Sequence, residues 1–183
     1  VVSMLFAFKT VNRNKVWKDN PTLFASGIES APNSARVHFA YANDFREKVE
    51  ASQDMYQKME AAKVALAEFK RGLEIYDQDE RIYYNMGVIY YNINELEKAK
   101  EVYQKALKLK PDYPEALNNL GVLFFNNKEY TLAQNYFKKA TDINKNYGDA
   151  FANLGACYHN LGDAQSAIPY YKKELEKNSQ NLK

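Results

Sequence analysis

The chain has 183 residues, of which 46% are hydrophobic, 14% aromatic and 26% charged, and its formal net charge is +2 at pH 7. A balance this close to neutral argues against nucleic acid or an anionic surface as the partner. With the single cysteine Cys157 the chain forms no internal disulfide. That cysteine does not identify the redox compartment, because helical arrays fold without disulfides in any of them.

The apolar run VVSMLFAF opens the chain and is followed by Lys9, Arg13, Lys15 and Lys18. Eight apolar residues are too few to span a bilayer, which needs about 20. A signal peptide has its basic residues before the apolar stretch, not after it. Residues 1–9 are therefore interpreted as an apolar strip that covers the helices to follow, or as the end of a membrane helix.

Residues 10–34 have the spacing of a single helix followed by a turn. Phe24, Gly27 and Pro32 lie where a packing aromatic, a small residue and a terminating proline are expected. We expect the bulky Trp17, which comes before this helix, to cover the open apolar end of the molecule and not to bind a ligand.

Residues 35–79 predict a pair of helices that is longer than the pairs after it. Ala42 and Ala65 lie farther apart than the equivalent Gly87 and Ala99 of the next pair, by an insertion of about 11 residues or about three helical turns. The inserted segment consists of helix formers without proline or glycine. We expect both helices to be lengthened into a charged, projecting tip, which either is solvated or contacts a partner or a neighbouring domain.

Three further helix pairs follow over residues 80–113, 114–147 and 148–181, at a constant period of about 34 residues. The small residues let two helices approach closely, where a larger side chain would overpack the contact. A single helix pair cannot bury its own apolar face, so the pairs must stack on one another. The positions that repeat in register are Gly87, Gly121 and Gly155; Tyr90, Phe124 and Tyr158; Ala99, Ala133 and Ala167; and Tyr103, Phe137 and Tyr171.

This length and this pattern resemble the tetratricopeptide repeat (TPR). The resemblance implies an all-α fold, a right-handed superhelix of helix-turn-helix repeats (an alpha solenoid), with repeats at 35–79, 80–113, 114–147 and 148–181. A terminal repeat normally needs a polar outer face, and the last repeat has no capping helix. We therefore expect Ile168, Tyr171 and Leu175 to be partly exposed, so that the native chain continues or this end pairs with another molecule.

In this family the first helix of each repeat lines a concave groove. Asn85, Asn119 and Asn153 share one register there, and their amides could bond an extended peptide backbone, which offers both donors and acceptors. Such a row resembles the groove of TPR-containing O-glycosyltransferases, although asparagine also occurs here in repeats with no known peptide ligand. The groove lacks the lysines with which chaperone-binding members hold a carboxylate. The expected groove residues are Tyr84, Asn85, Val88, Tyr91, Asn92, Asn118, Asn119, Val122, Phe125, Asn126, Asn153 and His159.

The sequence predicts no catalytic residue, no metal site and no cofactor. Cys157 and His159 are two residues apart on a helix and point to different faces, so they do not form a nucleophile and base pair. His38 has no carboxylate near it in sequence. The D-x-D of Asp77 and Asp79 falls at a repeat junction, where acidic turn residues are routine. No glycine-rich phosphate loop is present in the sequence.

Two short segments near the start of the chain form a further pattern. Its residues are Arg13, Asn14, Trp17, Asp19, Leu23, Phe24, Pro32, Ser34, Ala35, Arg36, Val37 and His38. They resemble a junction in polytopic membrane O-mannosyltransferases of the transmembrane and TPR type, and in similar bacterial membrane proteins. In that family a last membrane helix ends in R-N-x-x-W-x-D/E-x-x-x-L-F, and P-x-N/S-A-K/R-V-H opens the repeats. The family's catalytic carboxylates lie in membrane loops that this chain does not contain.

These observations predict a non-catalytic module that binds an extended segment of a protein in its groove, as the soluble tail of a membrane glycosyltransferase-like protein. The partner is expected to be a protein or peptide and not nucleic acid, with a membrane reached only through a preceding segment. The expected location is the extracytoplasmic face of a membrane, in the periplasm or the ER lumen, with the cytoplasm as the alternative. The alternative function is a scaffold that assembles oligomers through its outer faces and its open carboxyl-terminal end.

Overall fold

The computed structural model describes residues 26–180, with side chains up to residue 175. Residues 26–30 are helical, eight longer helices follow, and no strand occurs between residues 26 and 180. The predicted all-α fold of paired helices is confirmed. The chain divides into two compact units, Val1–Glu95 and Leu96–Lys183. The interpretations of residues 1–9, Trp17 and Phe24 concern positions outside the described residues.

The first unit contains α1 (Ala35–Ala51), α2 (Met55–Ile75) and α3 (Glu80–Asn92). Helices α1 and α2 pack against each other, and α3 packs on both. Apolar residues at helical spacing supply the contacts between them. The fully buried members of this core include Ala42, Val49, Ala65, Phe69, Ile82 and Ile89.

The insertion lengthens both helices of the first pair, as predicted. Helix α1 has 17 residues and α2 has 21, against 13 in α3. A short connection separates them, and α2 begins where the Asp54 carboxylate accepts a hydrogen bond from the Tyr56 amide at 3.1 Å. The tip exposes apolar side chains as well as charged ones, since Met55, Tyr56 and Met59 are 53%, 73% and 49% exposed.

The second unit contains α4 (Leu96–Leu109), α5 (Pro114–Asn126), α6 (Tyr130–Ile143), α7 (Gly148–Asn160) and α8 (Ala164–Gln180). Helices α5 and α6 form one hairpin and α7 and α8 form the next, while α4 packs on α5 and α6 packs on α7. The core between successive hairpins contains Leu117, Ala140 and Ala150.

Glycine lies where two helices of a hairpin approach most closely, as the sequence predicts. A Cβ atom added at Gly121 would be 2.7 Å from Cε1 of Phe137, and one added at Gly155 would be 2.9 Å from Cε1 of Tyr171. Each hairpin also contains a stacked aromatic pair at one register, Phe124 with Tyr136 and Tyr158 with Tyr170, at centroid distances of 5.3 and 5.2 Å.

Helices α3, α5 and α7 end in the same kind of turn. Asn94, Lys128 and Gly162, which occupy equivalent positions of successive repeats, have φ angles of 62°, 63° and 86°, in the left-handed region. In the first of these turns the Glu95 amide donates to the Tyr90 carbonyl at 2.8 Å, and the corresponding bond recurs in the other two. This left-handed turn satisfies the last carbonyls of a helix and reverses the chain within a few residues.

The last helix exposes apolar side chains, as predicted. Ile168 is 46% exposed and Leu175 is 64% exposed, and Tyr171 is half-buried. This side of α8 is therefore an apolar surface within the described part of the chain.

Candidate functional site

The predicted groove residues of the first unit lie on α3 and are not equally accessible. Asn85 and Val88 are each only 8% exposed, Tyr84 and Asn92 are half-buried, and Tyr91 is 39% exposed. Asn92 is also engaged locally, because its Nδ2 donates to the Val88 carbonyl at 2.9 Å. Tyr91 is therefore the most accessible of the five to a partner.

Asn85 joins two helices of the first unit. Its Nδ2 donates to Oδ1 of Asn43 on α1 at 3.2 Å, and the same oxygen accepts from Nε of Arg46 at 3.0 Å. Since Asn85 is buried, this bond satisfies a polar group that water does not reach freely. Its observed role in the structure is to fix α3 against α1.

In the second unit asparagines of the same face form a chain of hydrogen bonds. Nδ2 of Asn153 on α7 donates to Oδ1 of Asn118 on α5 at 3.0 Å. Nδ2 of Asn118 donates to Oδ1 of Asn119 at 3.3 Å, and Nδ2 of Asn119 donates to the Tyr103 hydroxyl on α4 at 3.2 Å. Three helices of the unit are therefore linked through side-chain amides.

These bonds use part of the hydrogen-bonding capacity of each amide. A carboxamide has two N–H donors and two acceptor lone pairs, and Asn119 and Asn153 remain half-buried and not fully enclosed. Both could still bond a ligand, whereas Asn118, at 5% exposed, is enclosed by the helices. The asparagines that were predicted to bind a peptide backbone therefore mainly form hydrogen bonds between helices.

The other predicted residues of the second unit border this row. Val122 and Phe125 are half-buried, and the Phe125 ring packs edge-on against Tyr130 at 5.2 Å. Asn126 and His159 are exposed at the ends of α5 and α7. Together they make a mixed surface of apolar and amide groups without a cluster of charge.

A cavity of about 810 Å³ lies in the first unit, on the face of α1 and beside the connection from α2 to α3. Sequence reasoning missed it, because the predicted groove begins at Tyr84. The α1 side chains recur every three or four residues, so they share one face of the helix. The cavity is lined by Ala35, Arg36, Phe39, Ala40, Asn43, Asp44, Glu47, Tyr76, Asp79 and Arg81.

Asp79 builds one wall of this cavity and begins α3. Its Oδ1 accepts hydrogen bonds from the Arg81 amide at 3.0 Å and from Arg81 Nε at 2.9 Å, and its Oδ2 accepts from Nη2 at 2.7 Å. Burial alone would raise the pKa of Asp79, but the Arg81 guanidinium and amide together hold that pKa below its usual value. The interpretation of the D-x-D as turn residues is confirmed at Asp79, the N-cap of α3.

A buried hydrogen-bond network that the sequence did not predict joins α1 and α2. Nδ1 of His38, a residue 3% exposed, is 2.7 Å from Oε2 of Glu68, and its Nε2 is 2.8 Å from the Pro32 carbonyl. The other Glu68 oxygen accepts from Arg71 at 2.8 Å. The carboxylate partner of His38 is therefore distant in sequence and adjacent in space. Its contacts orient the chain entering α1 and leave no open position for a substrate.

Cys157 is fully buried, and burial raises the pKa of its thiol to about 12. A thiol that stays protonated is a poor nucleophile, while His159 lies at the surface. Between residues 26 and 180, side chains of histidine, cysteine, aspartate and glutamate form no group of three that could hold a metal ion. In the same range no helix is both long enough and apolar enough to span a membrane.

Comparisons with known families identify the repeat. Residues 89–128 match the family described as TPR repeat, and residues 112–180 match the family described as tetratricopeptide repeat. Among curated proteins, the chain is 34% identical over 61 residues to protein O-mannosyl-transferase TMTC1 of Homo sapiens and of Mus musculus. That match covers 33% of this chain but only 7% of the human protein and 6% of the mouse protein.

Several solved structures share the fold at low sequence identity. MamA is similar with a TM-score of 0.71 at 20% identity, covering 88% of each chain. PilF of Pseudomonas aeruginosa has a TM-score of 0.73 at 20% identity, covering 94% of this chain and 72% of its own. YrrB, described as a TPR protein with an unusual peptide-binding site, has a TM-score of 0.67 at 22% identity, covering 85% of this chain and 75% of its own.

Proposed function

The chain belongs to the tetratricopeptide-repeat family over residues 89–180, and from this we propose that it is a non-catalytic module that binds an extended segment of a partner protein. The binding surfaces are the first-helix faces of each unit, formed by α1 and α3 in one and by α5 and α7 in the other. The partner is a protein or peptide, and no cofactor takes part.

The observation that carries this proposal is the difference between the two sides of each helix pair. The sides that face other helices are filled with buried apolar residues. The first-helix faces present the partly accessible amides of Asn119 and Asn153, the exposed ring of Tyr91 and the cavity beside α1. Amides suit a peptide backbone, which needs both donors and acceptors, and aromatic rings suit its apolar side chains. YrrB, similar in fold, is described as having a peptide-binding site.

The asparagine row is tested by changing Asn85, Asn119 and Asn153 together to alanine. Immobilised wild-type and triple-variant chains are compared for capture of a random peptide library, with thermal melting measured on both because these residues also link helices. We expect the variant to retain fewer peptides at a temperature where both chains are folded. Equal retention would remove the row from the binding surface.

We further propose that the chain is the soluble part of a membrane glycosyltransferase-like protein, outside the cytosol in the periplasm or the ER lumen. Support comes from the junction motifs near the start of the chain and from the 34% identity to TMTC1. In this proposal the parent protein is the enzyme, and this part of it binds the protein to be modified or a companion subunit.

This wider proposal is tested on the native gene and in the native cell. The residues encoded before Val1 should form an apolar run of about 20 residues, as a bilayer-spanning helix requires. Protease added to intact spheroplasts should then digest the chain, whereas in sealed microsomes the chain should be protected until the membrane is permeabilised. A polar upstream sequence, or a chain accessible only from the cytoplasm, would contradict it.

A second candidate function is a scaffold that assembles copies of the chain through the outer face of α8. The observation that favours it is the exposed apolar pair Ile168 and Leu175. Sedimentation velocity over a hundredfold range of concentration distinguishes the two functions. A wild-type dimer that becomes monomeric in the Ile168→Ser, Leu175→Ser variant supports the scaffold, and a concentration-independent monomer excludes it.

A further inference from the structure

We infer that the cavity beside α1 recognises an extended peptide carrying one acidic and one basic residue, separated by about five positions, with an apolar residue between them. This inference rests on the proposed function and deepens it, because it places the ligand on α1 and specifies its chemistry. It adds to the asparagine row a second recognition site, which is formed mainly by the first helix of the first repeat.

The first step is the balance of charge along the cavity. Asp79 and Arg81 neutralise each other through their paired hydrogen bonds. Asp44 has Lys48 as its counter-ion, whose Nζ lies 2.8 Å from the buried Oδ2, although that oxygen accepts no well-directed hydrogen bond. Asp79, Arg81 and Asp44 thus have counter-charges within the unit, and the two ends of the cavity determine which charges a ligand needs.

One end of the cavity is positive. Arg36 is exposed and forms no ion pair with the described residues. It lies in the first turn of α1, where the Ser34 side chain makes no capping bond and no acidic residue is present. The unsatisfied amides of a helix start favour a negative charge, so Arg36 and the helix start together select an acidic group.

The other end of the cavity is negative. Glu47 is exposed, and its nearest cation is Nη2 of Arg46 at 3.6 Å. Arg46 is held more closely elsewhere, by Glu50 at 2.6 Å and by Asn43 at 3.0 Å. Glu47 is thus left with a weak partner and is available to a basic side chain of a ligand.

The separation of the two ends fixes the spacing in the ligand. Arg36 and Glu47 lie about three helical turns apart on one face of α1, which is about 16 Å at about 1.5 Å per residue. An extended peptide covers about 3.3 Å per residue, so about five residues bridge the two charges. Phe39 also lines the cavity, packed against Phe69 with the Arg81 guanidinium over its ring, and the lining residue Tyr76 is 54% exposed. The Tyr76 ring provides accessible apolar surface for the middle of the peptide.

The test is selection from a displayed library of random dodecapeptides, using the whole chain as bait. Wild type should enrich peptides with an acidic and a basic residue four to six positions apart and an apolar residue between them. The Arg36→Glu variant should enrich peptides with two basic residues, and Glu47→Lys should enrich peptides with two acidic residues. Lys63→Glu makes a charge change of the same size at an exposed position of α2 outside the cavity, with the same sign as Arg36→Glu. It is the matched control and should enrich the wild-type set.

A selected peptide is then titrated against all four chains. Either cavity variant should bind it roughly two- to thirtyfold more weakly, because an exposed ion pair is worth a factor of about 1.4 to 5 and charge reversal adds a comparable repulsion. Enriched peptides without the paired charges, or equal binding by the cavity variants, would overturn the inference and leave the proposed function standing. Absence of any enrichment would overturn both.

Discussion

Gly121 should be less tolerant of a methyl group than Gly155, although both occupy the same position of their repeats. In Gly121→Ala the new Cβ would lie 2.7 Å from the ring of Phe137, which is fully buried. Carbon atoms normally approach to about 3.5–4.0 Å, so either the ring or the helices must move. In Gly155→Ala the contact is 2.9 Å, but the ring belongs to Tyr171, which is half-buried and can swing toward solvent.

The magnitude follows from two opposing effects. Overpacking a core costs about 1–3 kcal/mol, and replacing glycine by alanine inside a helix gains about 1 kcal/mol. Gly121→Ala should therefore destabilise the chain by about 0–2 kcal/mol. Gly155→Ala should be neutral or stabilising by up to about 1 kcal/mol, because its ring can yield at little cost.

The assay is urea unfolding followed by circular dichroism at the helix minimum for wild type and both variants. Adding Phe137→Leu to Gly121→Ala should relieve part of the clash, with a coupling energy of about 0.5–3 kcal/mol, as expected for residues in contact. If Gly121→Ala were as stabilising as Gly155→Ala, the close approach of α5 and α6 would not be the reason for glycine at this position.

Three further predictions concern buried groups. Glu68→Ala should lower the free energy of unfolding by about 1–3 kcal/mol, because it leaves the buried His38 ring without its hydrogen-bond partner. The exposed Glu74→Ala should change the urea midpoint little. Cys157 should resist iodoacetamide at pH 8 until urea unfolds the chain, since a thiol of pKa about 12 is roughly one part in ten thousand thiolate at that pH. The Cys157 thiol ionises readily only in the unfolded chain, so the free energy of unfolding should fall as the pH rises above about 8.5. A Cys157→Ala variant that shows the same fall with pH would contradict this. Asp79→Ala should cost about 1 kcal/mol and Asp79→Asn less, because an amide oxygen still caps α3. Arg81 holds the pKa of Asp79 down despite its burial. The carboxylate therefore contributes to the free energy of unfolding above about pH 4, and this contribution is lost as the pH falls. Equal costs for the two variants at pH 7 would contradict the capping role.

The sequence predicted what depends on local spacing. The constant period of Gly87, Gly121 and Gly155 is enough to predict the helix pairs, since small residues are required wherever two helices touch. The inserted residues lengthen both helices because they contain helix formers and no breaker. The sequence also predicted that Leu175 would be partly exposed, and it is 64% exposed.

The sequence could not predict contacts between residues far apart along the chain. Glu68 stands in a run of charged helix formers and gives no sign that it is buried against His38 of the preceding helix. Asn85 was predicted to face a ligand, and its bond to Asn43 depends on how α3 rests on α1 across the insertion. Polar residues that are far apart in sequence, such as His38 and Glu68, can be recognised as partners only when the distance between their helices is known.

The most direct test of peptide binding on the first-helix faces compares two exposed tyrosines by isothermal titration with a library-selected peptide. Tyr91 lies on the predicted face of α3 and is 39% exposed, and Tyr56 lies on the tip at the start of α2 and is 73% exposed. We predict that Tyr91→Ala weakens binding by about tenfold, as expected for loss of an aromatic contact at an interface, and that Tyr56→Ala leaves the affinity unchanged. Unchanged affinity in Tyr91→Ala together with a loss in Tyr56→Ala would place the partner on the inserted tip and contradict the account.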